Sequence, residues 1–292
     1  TKPFRWYGGK GQMLSKIAPL VPPGGLPYAE PYAGSAALFF ARAPAPVEAL
    51  NDLDGRIVTF YRVMQSEAGY RQLAHRLKWT PYARAEFARA IETLRDETST
   101  DVDRAWAFFV AANQGMSAVF DSAGKWGRVI THSTNGMAST ASQWVARVNM
   151  LDAFRARLMR AQIDQRDALE FIEYWDAQGA VFYIDPPYYA DTRAKGSRDV
   201  YAHEADDAHH RALVDLLLRC RGAVVLSGYQ HAVYQPLEAA GWQRVDFAVA
   251  CSAAGRGRGS GLRGDGAAKK KVPRTECVWI NPRAMEMRGR MF

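Results

Sequence analysis

The sequence predicts an α/β protein: a parallel sheet with flanking helices, interrupted midway by a mainly helical insertion. Three observations predict it. Residues 180–184 and 223–226 are apolar throughout, as in strands buried on both faces. Near the N-terminus a strand, a turn, a helix and a second strand follow one another, the order of a parallel α/β unit. From about residue 56 to residue 160 the strand signal gives way to helical periodicity.

Taken in order, residues 27–30 read as a short strand and residues 35–42 as a helix rich in Ala, Leu and Phe. Residues 47–50 read as a second strand, ending at Asn51-Asp52. Within the insertion, residues 82–97 and 102–113 are amphipathic helices separated by the polar break 96–101. Residues 114–142, rich in Gly, Ser, Thr and Asn, form an exposed loop or hairpin. Residues 142–160 are helical again. The α/β pattern resumes with the buried strand 180–184. Asp206 or Asp207 caps a helix running to about Cys220, and 223–226 is the next buried strand. Residues 242–250 and 275–280 read as a hairpin pair around a basic, Gly-rich loop. This order divides the chain into residues 1–55 plus 161–292 as one domain, with 56–160 inserted in it.

Composition narrows the function classes. With 292 residues, 48% of them hydrophobic and 23% charged, the chain is globular rather than disordered, and no internal repeat is visible. No run approaches ~18 apolar residues, so no membrane span is expected. Thr1-Lys2-Pro3-Phe4-Arg5 has no apolar core behind its charges, so no signal peptide is expected. Cys220, Cys251 and Cys277 are odd in number and widely spaced, which disfavours disulfides and zinc and fits a reducing compartment. The net charge is +8, and residues 255–274 supply +6 of it through seven basic residues and Asp265. Such a concentration attracts a polyanion, most often nucleic acid. A solvated loop is the alternative.

The strongest chemical signal is Tyr183-Ile184-Asp185-Pro186-Pro187-Tyr188-Tyr189. It directly follows a buried strand, so it sits at the carboxyl edge where open α/β sheets bind ligands. The prolines restrict the exit path. The Asp185 carboxylate and the carbonyl of Pro186 can then aim at one amino group with two N–H donors. Tyr188 offers a face for a planar ring. Glu30-Pro31-Tyr32-Ala33-Gly34-Ser35 is a second strand end, where Gly34 and Ser35 admit close backbone approach or simply start a helix. Asp52, at the end of the next strand, suits ribose hydroxyls. Phe4-Arg5-Trp6-Tyr7-Gly8-Gly9-Lys10 combines a close-approach glycine pair, a cation and an indole face. Alone it reads as an arm closing the sheet. Asp167 suits either a cofactor contact or a helix cap. His203, Glu204, His209 and His210 lack H-E-x-x-H spacing and read as surface or cap residues, and no metal site is expected. G-x-G-x-x-G and the P-loop pattern are both absent, which disfavours dinucleotide and NTP enzymes.

Taken together and in this order, W-Y-G-G-K, E-P-Y-A-G-S, N-D-L-D and D-P-P-Y resemble the Dam-like, alpha-group DNA adenine-N6 methyltransferases. The resemblance runs from Phe4 to Asn281, and residues 200–204 and 226–229 are similar to later motifs. It implies a Rossmann-like methyltransferase mixed sheet with flanking helices and an inserted, mainly helical target-recognition domain. It implies S-adenosyl-L-methionine as cofactor, held by Trp6, Tyr7, Gly9, Lys10, Glu30, Pro31, Tyr32, Ala33, Gly34, Ser35, Asp52, Asp167 and Asp185. It implies Asp185, Pro186, Pro187 and Tyr188 as the catalytic segment acting on a flipped-out adenine of double-stranded DNA. Tyr32-Ala33 and Ser35 stand where relatives often have more glycine. Lys125, Trp126 and Arg128 are the expected groove contacts. Arg256, Arg258, Lys269, Lys270 and Lys271 would hold phosphates. A restriction-modification or orphan methylase, cytoplasmic and bacterial or phage-encoded, acting as monomer or homodimer, fits this reading. An RNA-base methyltransferase and a catalytically silent DNA-binding relative are the alternatives.

Overall fold

A computed structural model describes residues 2–6, 8–24, 27–116, 126–189, 205–250 and 273–289. The chain opens with a short helix, α1 (Leu14–Ile17), and reaches the sheet at β1 (Tyr28–Glu30). Helix α2 (Ala37–Ala41) and β2 (Glu48–Asn51) follow. Four helices come next: α3 (Gly55–Gln65), α4 (Glu67–Lys78), α5 (Arg84–Arg95) and α6 (Asp101–Gln114). Local chemistry sets three of their starts. Asp54 caps α3, Ser66 caps α4, and Thr100 with Asp103 forms a capping box on α6. The short hairpin β3 (Ser133–Thr134) and β4 (Met137–Ala138) leads into α7 (Ser139–Asn149) and α8 (Leu151–Leu158). The expected single helix over 142–160 is therefore two helices, broken at Met150.

The chain then returns to the sheet through β5 (Ala161–Asp164), α9 (Ala168–Trp175) and β6 (Val181–Ile184). Helix α10 (Asp207–Arg219), capped by Asp206, leads to β7 (Ala223–Tyr229). Helix α11 (Gln235–Ala239), β8 (Gln243–Ala250), β9 (Pro273–Ile280) and α12 (Pro282–Gly289) complete it.

The main sheet has the order β5-β2-β1-β6-β7-β9-β8. Its first five strands are parallel; β9 runs antiparallel to both β7 and β8. The hairpin expected at the C-terminal end is thus present, with its second strand against β7. From β1 the chain moves outward to β2 on one side, and later returns to lay β6 on the other. The order reverses between β1 and β6, and a crevice opens there beyond the carboxyl ends.

The inserted helices do not form a separate core. Phe4 from the N-terminal arm packs on Phe60 of α3 and Phe108 of α6, with ring centroids 5.5 and 4.8 Å apart. These rings and β1, β6 and β7 side chains belong to one hydrophobic cluster. Arg157 of α8 also reaches β2, donating from Nη2 to Glu48 Oε1 at 2.6 Å and to the Phe39 carbonyl at 3.1 Å. The Phe4 contacts tie the N-terminal arm, and Lys10 with it, to the inserted helices.

Candidate active site

Strand β6 is buried at all four positions, which fixes the point where the chain leaves the sheet. Asp185 stands there, with Ser227 Oγ of the neighbouring β7 donating to its Oδ1 at 2.9 Å. Lys10 arrives from the opposite direction, on the turn after Gly8-Gly9. Its Nζ lies 2.7 Å from Asp185 Oδ1 and 3.3 Å from Glu276 Oε1, and also donates to the Gly8 carbonyl at 3.1 Å. Lys10 and Glu276 are buried. Burial opposes a charged lysine, but the two carboxylates outweigh it and raise the Lys10 pKa. Burial likewise raises the Glu276 carboxyl, against the pull of Lys10.

The second half of the site grows from β1 and β2. Gly34 has φ +49° and donates its N–H to Asp52 Oδ2 at 2.7 Å, while its carbonyl accepts from Tyr61 OH at 2.7 Å. A Cβ on Gly34 would lie 2.8 Å from Trp6 Cδ1, so glycine is required for both conformation and space. Ala36 repeats the left-handed backbone at φ +46°, and α2 starts immediately after it. Asp52 also accepts from the Asp54 N–H at 2.9 Å. Burial pushes its carboxyl up to about 7 despite these bonds. Glu30, buried at the end of β1, accepts from Tyr28 OH at 2.7 Å and from the Phe39 N–H at 2.8 Å. Burial raises its carboxyl to about 7 as well.

Both halves face a single cleft, lined by Trp6, Asp52, Asp185 and Pro187. Gly9, Lys10, Glu30, Tyr32, Ala33, Gly34 and Ser35 also line it. Motifs far apart in sequence therefore meet at the β1/β6 switch point. Other expected residues stand elsewhere. Pro31 is buried and its carbonyl accepts from Asn51 Nδ2 at 2.9 Å, so it braces the turn. Asp167 caps α9, accepting from the Leu169 N–H at 2.8 Å, and is absent from the cleft wall. Pro186, next to Asp185 in the chain, is buried. Tyr188 is buried rather than presented as an open face: its OH bonds Glu276, Lys10 Nζ lies 4.4 Å from its ring centroid, and Tyr229 packs edge-on at 4.6 Å. Trp126 is partly buried, 5.4 Å from the Tyr82 ring, whereas Arg128 is exposed. His210 is not at the surface. It is fully buried, and its Nδ1 hydrogen-bonds Tyr234 OH at 3.0 Å. His209 bonds Tyr32 OH at 2.7 Å. Tyr7, Lys125, Arg256, Arg258, Lys269, Lys270 and Lys271, with Cys251, His203 and Glu204, lie outside the described residues.

Three contributors had no assigned role in the sequence reading: Glu276, Ser227 and Tyr61. Ser227 belonged to a segment singled out for its resemblance, but nothing local marked its bond to Asp185. Glu276 pairs in register with Tyr229 because β9 inserts antiparallel beside β7. Pairing between strands so distant in sequence leaves no local pattern.

The sequence that builds this site has relatives among known proteins. The family model of the D12 class N6 adenine-specific DNA methyltransferases matches residues 6–235, and the chain belongs to that family. A particular relative is the DNA N-6-adenine-methyltransferase of Escherichia phage P1, 26% identical over 228 residues. The match covers 76% of this chain and 29% of the phage protein, so the chain spans under a third of that relative's length. Among the described residues, no helix is long and apolar enough to cross a membrane.

Proposed function

We propose that this chain transfers a methyl group from S-adenosylmethionine to the N6 amino group of an adenine flipped out of duplex DNA. The observation that carries the proposal is the Lys10–Asp185 pair in the same cleft as Trp6, Gly34 and Asp52. The residues fit the cofactor. Asp52 suits ribose hydroxyls, Gly34 opens the backbone beneath the Trp6 indole, and the acidic Glu30–Asp185 wall suits an ammonium group.

S-adenosylmethionine, when bound, supplies an electrophilic sulfonium methyl. The chain supplies everything else. Adenine's amino lone pair is delocalised into its ring, so the amine is a poor nucleophile. Asp185 accepts one N–H and the Pro186 carbonyl the other, which favours a more tetrahedral nitrogen. That nitrogen would then attack the methyl carbon in line: the N–C bond forms as the S–C bond breaks, the sulfide leaves as S-adenosylhomocysteine, and the amine sheds one proton through Asp185 to water. Positioning and electrostatics suffice, with no covalent enzyme intermediate. Lys10 and Ser227 hold Asp185 for this task. Tyr188 stacks on the adenine once its ring has left the Lys10–Glu276 contact.

In this reading residues 1–55 and 161–292 form the catalytic unit and 56–160 the target-recognition unit. Lys125, Trp126 and Arg128 approach a groove, and the basic stretch 255–274 holds phosphates. One chain carries the full motif set, so a monomer suffices for the chemistry. The test is a competition assay with unlabelled duplex DNA and structured RNA against methyl transfer to a labelled duplex. DNA competing and RNA failing is the expected result. RNA as the better competitor would transfer the assignment to an RNA base.

A further inference from the structure

Arg157 meets Glu48 and Arg76 meets Asp103. Three cations around the N-terminal arm, Lys2, Arg5 and Arg147, have no such partner among the described residues. Lys2 arches over the Gly9–Gly11 backbone: its Nζ lies 2.6 Å from where a Cβ of Gly9 would stand and 3.7 Å from the equivalent point on Gly11. Ser35 Oγ of the cleft wall is 3.4 Å from the first of these points. Lys2 is within electrostatic range of Arg147, Lys10, Asp185 and Arg5. Arg5 donates from Nη2 to Gln143 Oε1 at 2.6 Å, one turn before Arg147 on α7. Arg147 has buried Nε and Nη1 atoms with no hydrogen-bond partner among the described residues.

Clustered cations repel, and desolvating them adds to the cost. Both effects are visible. Burial, then Arg147 and Lys10, push the Lys2 ammonium down to about 8. Burial and then Arg5 push Arg147 down to about 10. An anion seated between them removes both costs. A guanidinium offers paired N–H donors matched to phosphate oxygens. The cluster stands where the N-terminal arm meets α7, next to the Asp185 end of the cleft.

We propose that Lys2 and Arg147 form a phosphate clamp that grips the backbone of the DNA strand delivering its adenine to Asp185. This rests on the DNA-methylating function proposed above. The clamp joins the catalytic loop to the inserted helices through one phosphate. It holds the strand without reading its sequence.

The test uses the full chain, a fluorescein-labelled duplex and anisotropy titrations over a range of salt concentrations. The variants are Lys2→Gln, Arg147→Gln, Arg147→Lys and the double Lys2→Gln/Arg147→Gln. Thermal melts check that each is folded. Each neutral variant should lower the salt slope of log Kd by about 0.9, the loss of one phosphate contact. The double variant should lower it by no more, because both residues share one phosphate. Arg147→Lys should retain most of the slope. S-adenosylmethionine affinity, measured by calorimetry, should stay within twofold of wild type. Unchanged salt slopes in folded variants that still methylate DNA overturn the clamp and leave the functional reading intact. Unchanged slopes with weakened cofactor binding assign the anion to the cofactor carboxylate and also overturn it. A wild-type chain that neither binds nor methylates duplex DNA overturns both readings.

Discussion

Lys10 Nζ stands 2.7 Å from Asp185 Oδ1, joining the N-terminal arm to the carboxyl end of the central strand β6. The pair brings the glycine-lysine turn and the D-P-P-Y segment into one buried unit. Its carboxylate keeps a second oxygen for a substrate, since Ser227 and Lys10 both engage Oδ1.

Asp185→Ala removes the acceptor that orients the target amine. Methyl transfer should fall by about 10²–10³-fold or more. Duplex DNA affinity should change little, because phosphate contacts dominate it. Single-turnover methylation beside equilibrium binding checks this; near-normal turnover would remove Asp185 from the reaction.

Lys10→Gln leaves Asp185 and Glu276 facing each other with no cation between them. Glu276 already has a raised pKa because it is buried, and Lys10 opposes that rise. The acid limb of kcat/KM should therefore move to higher pH, and the plateau should drop by about 10²-fold. A pH–rate profile that keeps its acid limb would show that Lys10 does not support the carboxylates.

Gly34→Ala forces a side chain into a backbone at φ +49° and against Trp6. The left-handed conformation alone should cost about 1–2 kcal/mol of stability. Displacing Trp6 should weaken cofactor binding further. Urea unfolding and cofactor calorimetry measure the two effects; full retention of both would mean that the loop is looser than this packing implies.

Glu30 gives a pH-dependent prediction. Its carboxyl rises from 4.5 to about 7 on folding because it is buried. A raised folded pKa stabilises the fold fully below the unfolded value, and that contribution is lost as pH climbs through about 7. Glu30→Gln keeps an oxygen for Tyr28 and Phe39 and removes the buried charge. The variant should match wild type at pH 4.5 and exceed it on the order of 1–3 kcal/mol at pH 8. Urea titrations at the two pH values check this. Equal stabilities at pH 8 would mean that Glu30 ionises at no cost.

The strands that matter most were legible because their signal is local. An all-apolar run ahead of Asp185 reads as a buried strand wherever the rest of the chain goes. The E-P-Y-A-G-S turn is equally self-contained. Strand β5 was missed because it is a short edge strand with a mixed burial pattern. Met150 is a good helix former, so the break between α7 and α8 has no sequence mark. Asp167 caps α9 through its bond from Leu169, one of the two roles the sequence leaves open beside a cofactor contact. The burial of Tyr188 was unreadable because it depends on Glu276, which β9 delivers by a long-range antiparallel pairing. Elements set by local turns are legible in the sequence, and contacts set by sheet order are not.

The most direct test is methyl transfer from labelled S-adenosylmethionine to unmethylated genomic DNA, followed by digestion and nucleoside analysis. The account predicts that the label elutes as N6-methyladenine and that Asp185→Ala abolishes it. Label on cytosine, or no label on DNA from a chain that binds both cofactor and duplex, would contradict it.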